Sequence, residues 1–179
     1  MKRLLYFKHW QLFLLIVICG AWVSPSPLRE LINSVAITTF LAWIYSIGFY
    51  GQDRIVELGL KSMNLKLFKT NVIIVAIMCL IGLVYSVIAN ETNDVASSGF
   101  GLADILLLIA SFYFVFTFFY SILFVCKTIA KVEYRREVSF SDYFDYFFFM
   151  VSVIVGIWVL QPKVNRLIAS KEETLYEND

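Results

Sequence analysis

Five apolar stretches, Trp10 to Val23, Leu31 to Tyr50, Asn71 to Ala89, Leu102 to Cys126 and Tyr146 to Leu160, occupy most of this chain. Hydrocarbon offers no partner to a backbone N–H or C=O, so nearly uncharged runs of this length are readable as buried helices. The expected fold is therefore all-α, an integral membrane helical bundle with four transmembrane helices plus a short fifth apolar segment. Composition agrees: 60% of the 179 residues are hydrophobic and 16% charged, against about a quarter charged in an average soluble domain. The polar stretches 51–70, 127–143 and the tail 161–179 are each too short to bury a core of their own. One membrane domain over 1–179 follows, and any function must sit in or beside the bundle.

A net charge of +1 gives no sign of a nucleic-acid partner, which leaves the lipid bilayer, with a protein partner or self-association as further possibilities. Cys19, Cys79 and Cys126 fall in three different runs with no Cys-x-x-Cys spacing. Neither a disulfide framework nor a zinc site is supported, and they read as packing thiols. Ile18 is too branched for Cys19 to be a good lipoprotein processing site. Lys2, Arg3 and Lys8 ahead of the first run, with Cys19 and Ala21 behind it, also fit a cleaved signal peptide, which competes with a first membrane helix.

Lysine and arginine are retained in the cytoplasm, so counting them loop by loop orients the chain. The N-terminus carries Lys2, Arg3 and Lys8, and the connection 24–30 only Arg29. The next carries Arg54, Lys61, Lys66 and Lys69, the connection 90–101 none, and the fourth Lys127, Lys131, Arg135 and Arg136. The N-terminus and the second and fourth connections are expected in the cytoplasm of a bacterial inner membrane. Pro25 and Pro27 should hold the first connection to a tight hairpin.

Tyr146 to Leu160 breaks the alternation. At 1.5 Å per residue it is about 22 Å long, short for a span, and Arg135 and Arg136 precede it while Lys163 and Arg166 follow. A re-entrant or shallow segment keeps both flanks in the cytoplasm, whereas extension through Tyr143 and Phe144 would permit a fifth crossing. Both readings stay open.

Helix faces in lipid pack through small side chains. Ser34, Thr38, Ala42 and Ser46 recur every four residues on the second helix; Cys79, Gly82, Ser86 and Ala89 line the third, and Ala103, Ala110, Thr117 and Ser121 the fourth. These faces are expected to meet, with their hydroxyls bonded back to the preceding turn. Ionisable groups inside a membrane usually point to function, and they are scarce. Asp104 opens the fourth helix, where a dipole-complementing acid is ordinary. His9 has no second ligand or triad partner nearby in sequence. The aromatics, concentrated in 112–124 and 143–149, read as an interfacial belt.

The stretch 132–146 is the most informative polar one. Ser139 and Asp142 fit a capping box that starts a helix, and Asp145 shares a face with Asp142. Paired carboxylates there could hold a divalent cation, but a cap with Arg135 and Arg136 as ion partners accounts for the pattern. Asp142, Asp145 and Asp104, together with Gln161 and Lys163 at the close of the last run, are the candidate functional residues. No catalytic, cofactor-binding or metal-binding residue is assigned, and no cofactor is expected.

The segments Lys8-His9-Trp10-Gln11-Leu12-Phe13, Lys61 to Lys69, Glu137 to Asp142 and Gly156-Ile157-Trp158-Val159-Leu160-Gln161-Pro162-Lys163-Val164-Asn165 together resemble an uncharacterised family of small bacterial multipass membrane proteins. Its members often carry a proline before that glycine, where this chain has Val155. The resemblance implies an amphipathic cytoplasmic lead-in, a short apolar segment and a Gln-Pro-Lys exit, and carries no catalytic residue over. The resulting expectation is a non-enzymatic membrane protein acting through helix–helix or partner contacts. The alternative is a homo-oligomeric pore or small transporter with Asp142 and Asp145 at a cytoplasmic vestibule.

Overall fold

The computed structural model describes residues 5, 7–14, 16, 27–92, 102–152 and 155–165. Every element among them is helical: α1 (His9–Phe13), α2 (Pro27–Glu57), α3 (Leu65–Thr92), α4 (Leu102–Tyr134), α5 (Phe140–Val151) and α6 (155–165). Among the described residues, three stretches are long and apolar enough to cross a membrane, Ile32–Glu57, Leu65–Gly82 and Leu108–Tyr134. The expected count was four; most of the first apolar run, from residue 17 onward, lies outside the described residues.

The three long helices outrun their apolar cores. Continuation costs little because each added residue closes its own backbone bond, and no proline interrupts Gly51 to Glu57, Leu65 to Thr70 or Lys127 to Tyr134. Pro27 is helical rather than part of a turn, and it is the first described residue of α2; Pro25 lies outside the described residues. What stops α2 is Gly59, at φ +69°. Its N–H bonds the Val56 carbonyl and the Leu60 N–H that of Ile55, both at 3.0 Å, the reversal glycine makes without steric cost.

α2, α3 and α4 pack mutually, and close approach is set by glycine and aromatics. A Cβ on Gly48 of α2 would fall 2.5 Å from the Phe68 ring of α3, and Phe68 stacks on Phe124 of α4 at 4.3 Å. One turn on, a Cβ at Gly51 would fall 2.2 Å from Cγ2 of Thr128. The core continues through Trp43, Ile44 and Ile47 into Ile157, Leu160 and Val164 of α6 and Leu5 and Leu12 of the N-terminal segment. The small-residue hydroxyls do bond backward: Ser46 to the Ala42 carbonyl at 2.7 Å, Thr117 to that of Phe114 at 2.9 Å, and Ser121 to that of Thr117 at 2.9 Å.

The last apolar run is not one helix. It is a hairpin of α5 and α6, with α5 beginning at Phe140 rather than Tyr146 and α6 helical past Leu160 to residue 165, the last one described. Ser152 leaves helical geometry at φ −82°, ψ +68°. A Cβ on Gly156 would lie 2.1 Å from the Phe149 carbonyl oxygen, so the arms come this close only because residue 156 has no side chain. A straight helix would separate residues 146 and 163 by about 25 Å. Instead Lys163 Nζ lies 3.2 Å from the Tyr146 hydroxyl and 2.9 Å from Glu133, so the second arm returns to the last turn of α4. Pro162 does not end the segment; α6 runs through it.

Candidate functional site

Four polar clusters hold this arrangement. The deepest centres on Gln161, which is fully buried. Its Oε1 accepts the indole N–H of Trp43 at 2.7 Å, and the two hydrogens of its Nε2 are shared among three acceptors, the carbonyls of Leu5 and Phe7 at 3.0 and 2.8 Å and Asn165 Oδ1 at 3.0 Å. One amide thus ties α6 to α2 and to the N-terminal segment. His9 and Phe13 pack beside it on Trp158, with ring centroids 4.5 and 5.8 Å away, so the lone histidine is a packing residue here.

The second cluster latches the hairpin. Tyr146 is buried and donates its hydroxyl to Glu133, which also takes the Lys163 ammonium at 2.9 and 3.1 Å. The ammonium lies 4.7 Å from the centre of the Tyr146 ring. Burial, and then the Glu133 carboxylate, push the Tyr146 phenol above its ordinary value. It stays protonated as a donor, which suits a latch and not a base.

The third is the cap of α5. Asp142 accepts the backbone N–H of Ser139 at 2.7 Å and its hydroxyl at 3.0 Å. It also receives both Arg136 terminal nitrogens, at 2.8 and 3.3 Å. The Ser139 N–H first, and the Arg136 guanidinium second, hold this carboxyl below its ordinary value.

The fourth pins the connection between α2 and α3 to the end of α4. Lys131 is 2% exposed, and its ammonium reaches the Lys61 carbonyl at 2.7 Å and Glu137 at 2.8 Å. Glu137 also accepts the Lys61 N–H at 3.2 Å, and the Lys131 ammonium is the main reason its carboxyl is lowered. Behind it, Gln52 donates to Thr128 at 3.2 Å and accepts the Met63 N–H at 2.9 Å. A lysine can be this dry because each charge-bearing direction meets an oxygen.

Of the candidates read from sequence, Gln161, Lys163 and Asp142 are bonded into three separate clusters. Asp145 is exposed and does not join Asp142 in a shared site. The side chain of Asp104 lies outside the described residues. No group of three metal-ligating side chains occurs among the described residues. Trp43, Gln52, Lys131, Glu133 and Tyr146 were not singled out as site residues. Their partners lie 6 to 118 positions away in sequence, and no local pattern signals them.

A groove of about 820 Å³ opens on the opposite face of α2, between it and α3. Ser34, Thr38 and Ala42 face Cys79 and Gly82 across it. These small-residue faces thus approach without closing. The hairpin and its acids do not line it. Compared with known protein families, curated proteins and solved structures, the chain shows no match.

Proposed function

We propose that this is a non-enzymatic multipass protein of a bacterial inner membrane, N-terminus in the cytoplasm, that acts by helix contact with a protein partner or another copy of itself. On this reading the α5–α6 hairpin enters from the cytoplasmic side and returns to it. The observation that supports the proposal most is where the polar groups go. Gln161, Lys163 and Lys131 are each engaged in ties between elements of the same chain, and Asp142 in the cap of α5. Large apolar side chains are left outward, among them Phe140, Phe144 and Phe148, one per turn along α5 and 48–62% exposed. Such a surface suits contacts made within or beside a bilayer.

Purification from native membranes in mild detergent tests this. A partner or second copy should co-purify with the native chain and be lost from a Phe144→Ser, Phe148→Ser variant that remains folded. Retention by that variant would move the contact elsewhere. The pore alternative predicts instead an ion flux in liposomes that an Asp142→Ala, Asp145→Ala change alters, and such a flux would replace the contact reading.

A further inference from the structure

The groove between α2 and α3 lies within both candidate spans, Ile32–Glu57 and Leu65–Gly82. In a bilayer it opens sideways into hydrocarbon, so its occupant must be apolar over that length. From Asn33 to Tyr45 it runs about 18 Å along α2 at 1.5 Å per residue. Its lining is mostly apolar over that length, which suits extended hydrocarbon. At its outer end a Cβ added to Gly82 meets nothing within 4 Å.

The inner end is not apolar. Tyr45, which lines the groove, stacks on Phe49 with centroids 6.0 Å apart, and the Lys69 ammonium lies 4.5 Å over the Phe49 ring. Lys69 is one turn before Ile73 and two before Ala76 on the same face of α3, and both of those line the groove. A cation thus stands one turn beyond the groove at the polar end of the same track, with exposed Lys66 a turn further.

We infer that this groove is a binding site for one anionic phospholipid, its acyl chain between α2 and α3 and its phosphate at Lys69. The inference rests on the membrane placement of those two helices and not on the partner-contact reading. Cationic side chains at the rim of a membrane helix pair attract acidic headgroups by an amount equivalent to about fivefold in affinity per lysine.

Native mass spectrometry of the purified full chain, offered equal amounts of dioleoyl phosphatidylglycerol and dioleoyl phosphatidylcholine, tests it. The native chain should retain one phosphatidylglycerol in preference. Lys69→Gln should cut that preference about fivefold and leave phosphatidylcholine retention unchanged, while Lys8→Gln changes neither. Gly82→Phe, entering open space, should reduce retention of both lipids. Equal retention of the two lipids by the native chain, or an unaltered preference in Lys69→Gln, overturns the site. So does a Cys79-to-Cys79 cross-linked dimer that holds no lipid. If Gly82→Phe is not monodisperse, Lys69→Gln alone decides. Carbonate extraction of native membranes tests the placement separately: release of the chain would overturn the underlying reading, and retention with no lipid preference would overturn only this one.

Discussion

Gln161 shows how much one side chain can hold. Leucine has nearly its shape, so Gln161→Leu removes polarity without opening a void. It would strand the buried Trp43 indole N–H and withdraw a donor from the Leu5 carbonyl, also buried, and from the half-buried one of Phe7. Buried groups left without partners cost about 1–3 kcal/mol each, and some relaxation is available to the two carbonyls. We expect a loss of about 2–4 kcal/mol in unfolding from mixed micelles followed by tryptophan fluorescence. Asp145→Asn, on exposed surface, should stay within about 0.5 kcal/mol. Both residues were candidates in the sequence. Gln161 stood out as part of the Gln-Pro-Lys close of the last run, but nothing near it named Trp43, which lies 118 positions away.

At the scale of elements, the α5–α6 hairpin is held at its tip by a backbone contact and at its base by charge. The tip needs Gly156, where any Cβ would meet the rigid Phe149 carbonyl. Beside that base, the first turn of α5 depends on ionised Asp142 and the segment leading into it on ionised Glu137, whose carboxyls are lowered from 3.8 and 4.5. A carboxyl lowered by folding contributes its stability above its unfolded value and loses it as pH falls through the folded one. Hydrogen-exchange protection of residues 139–146 should therefore hold from neutral pH to about 4.5 and decline below it. Asp142→Asn should show reduced protection already at neutral pH and a shallower decline. Persistence of native protection far below pH 3 would mean that these carboxylates do not hold the hairpin. The cap itself was legible, because Ser139 and Asp142 stand at the spacing a first helical turn requires. The break at Ser152 was not: its neighbours are apolar with no proline among them, and the fold-back follows from contacts at Gly156 and Lys163.

For the whole molecule, the return of α6 to α4 bears on topology. If α2, α3 and α4 cross a bilayer, a hairpin latched to the last turn of α4 leaves both of its ends on one side. A cysteine placed at Lys171 should then be labelled by a membrane-impermeant maleimide only from the cytoplasmic face. Labelling from outside alone would require a fifth crossing. The sequence by itself determined the solvent and the element type, since long uncharged runs admit one backbone solution in hydrocarbon. It also located α2 to α4 to within their polar extensions, which helix propagation lengthened without altering the faces. Direction at the end of the chain was a different matter. Basic residues flank the last run on both sides, and a charge count is a preference summed over loops. Only the tertiary structure could choose, because the deciding contacts, Lys163 with Glu133 and Gln161 with Trp43, join residues that chain proximity never brings together.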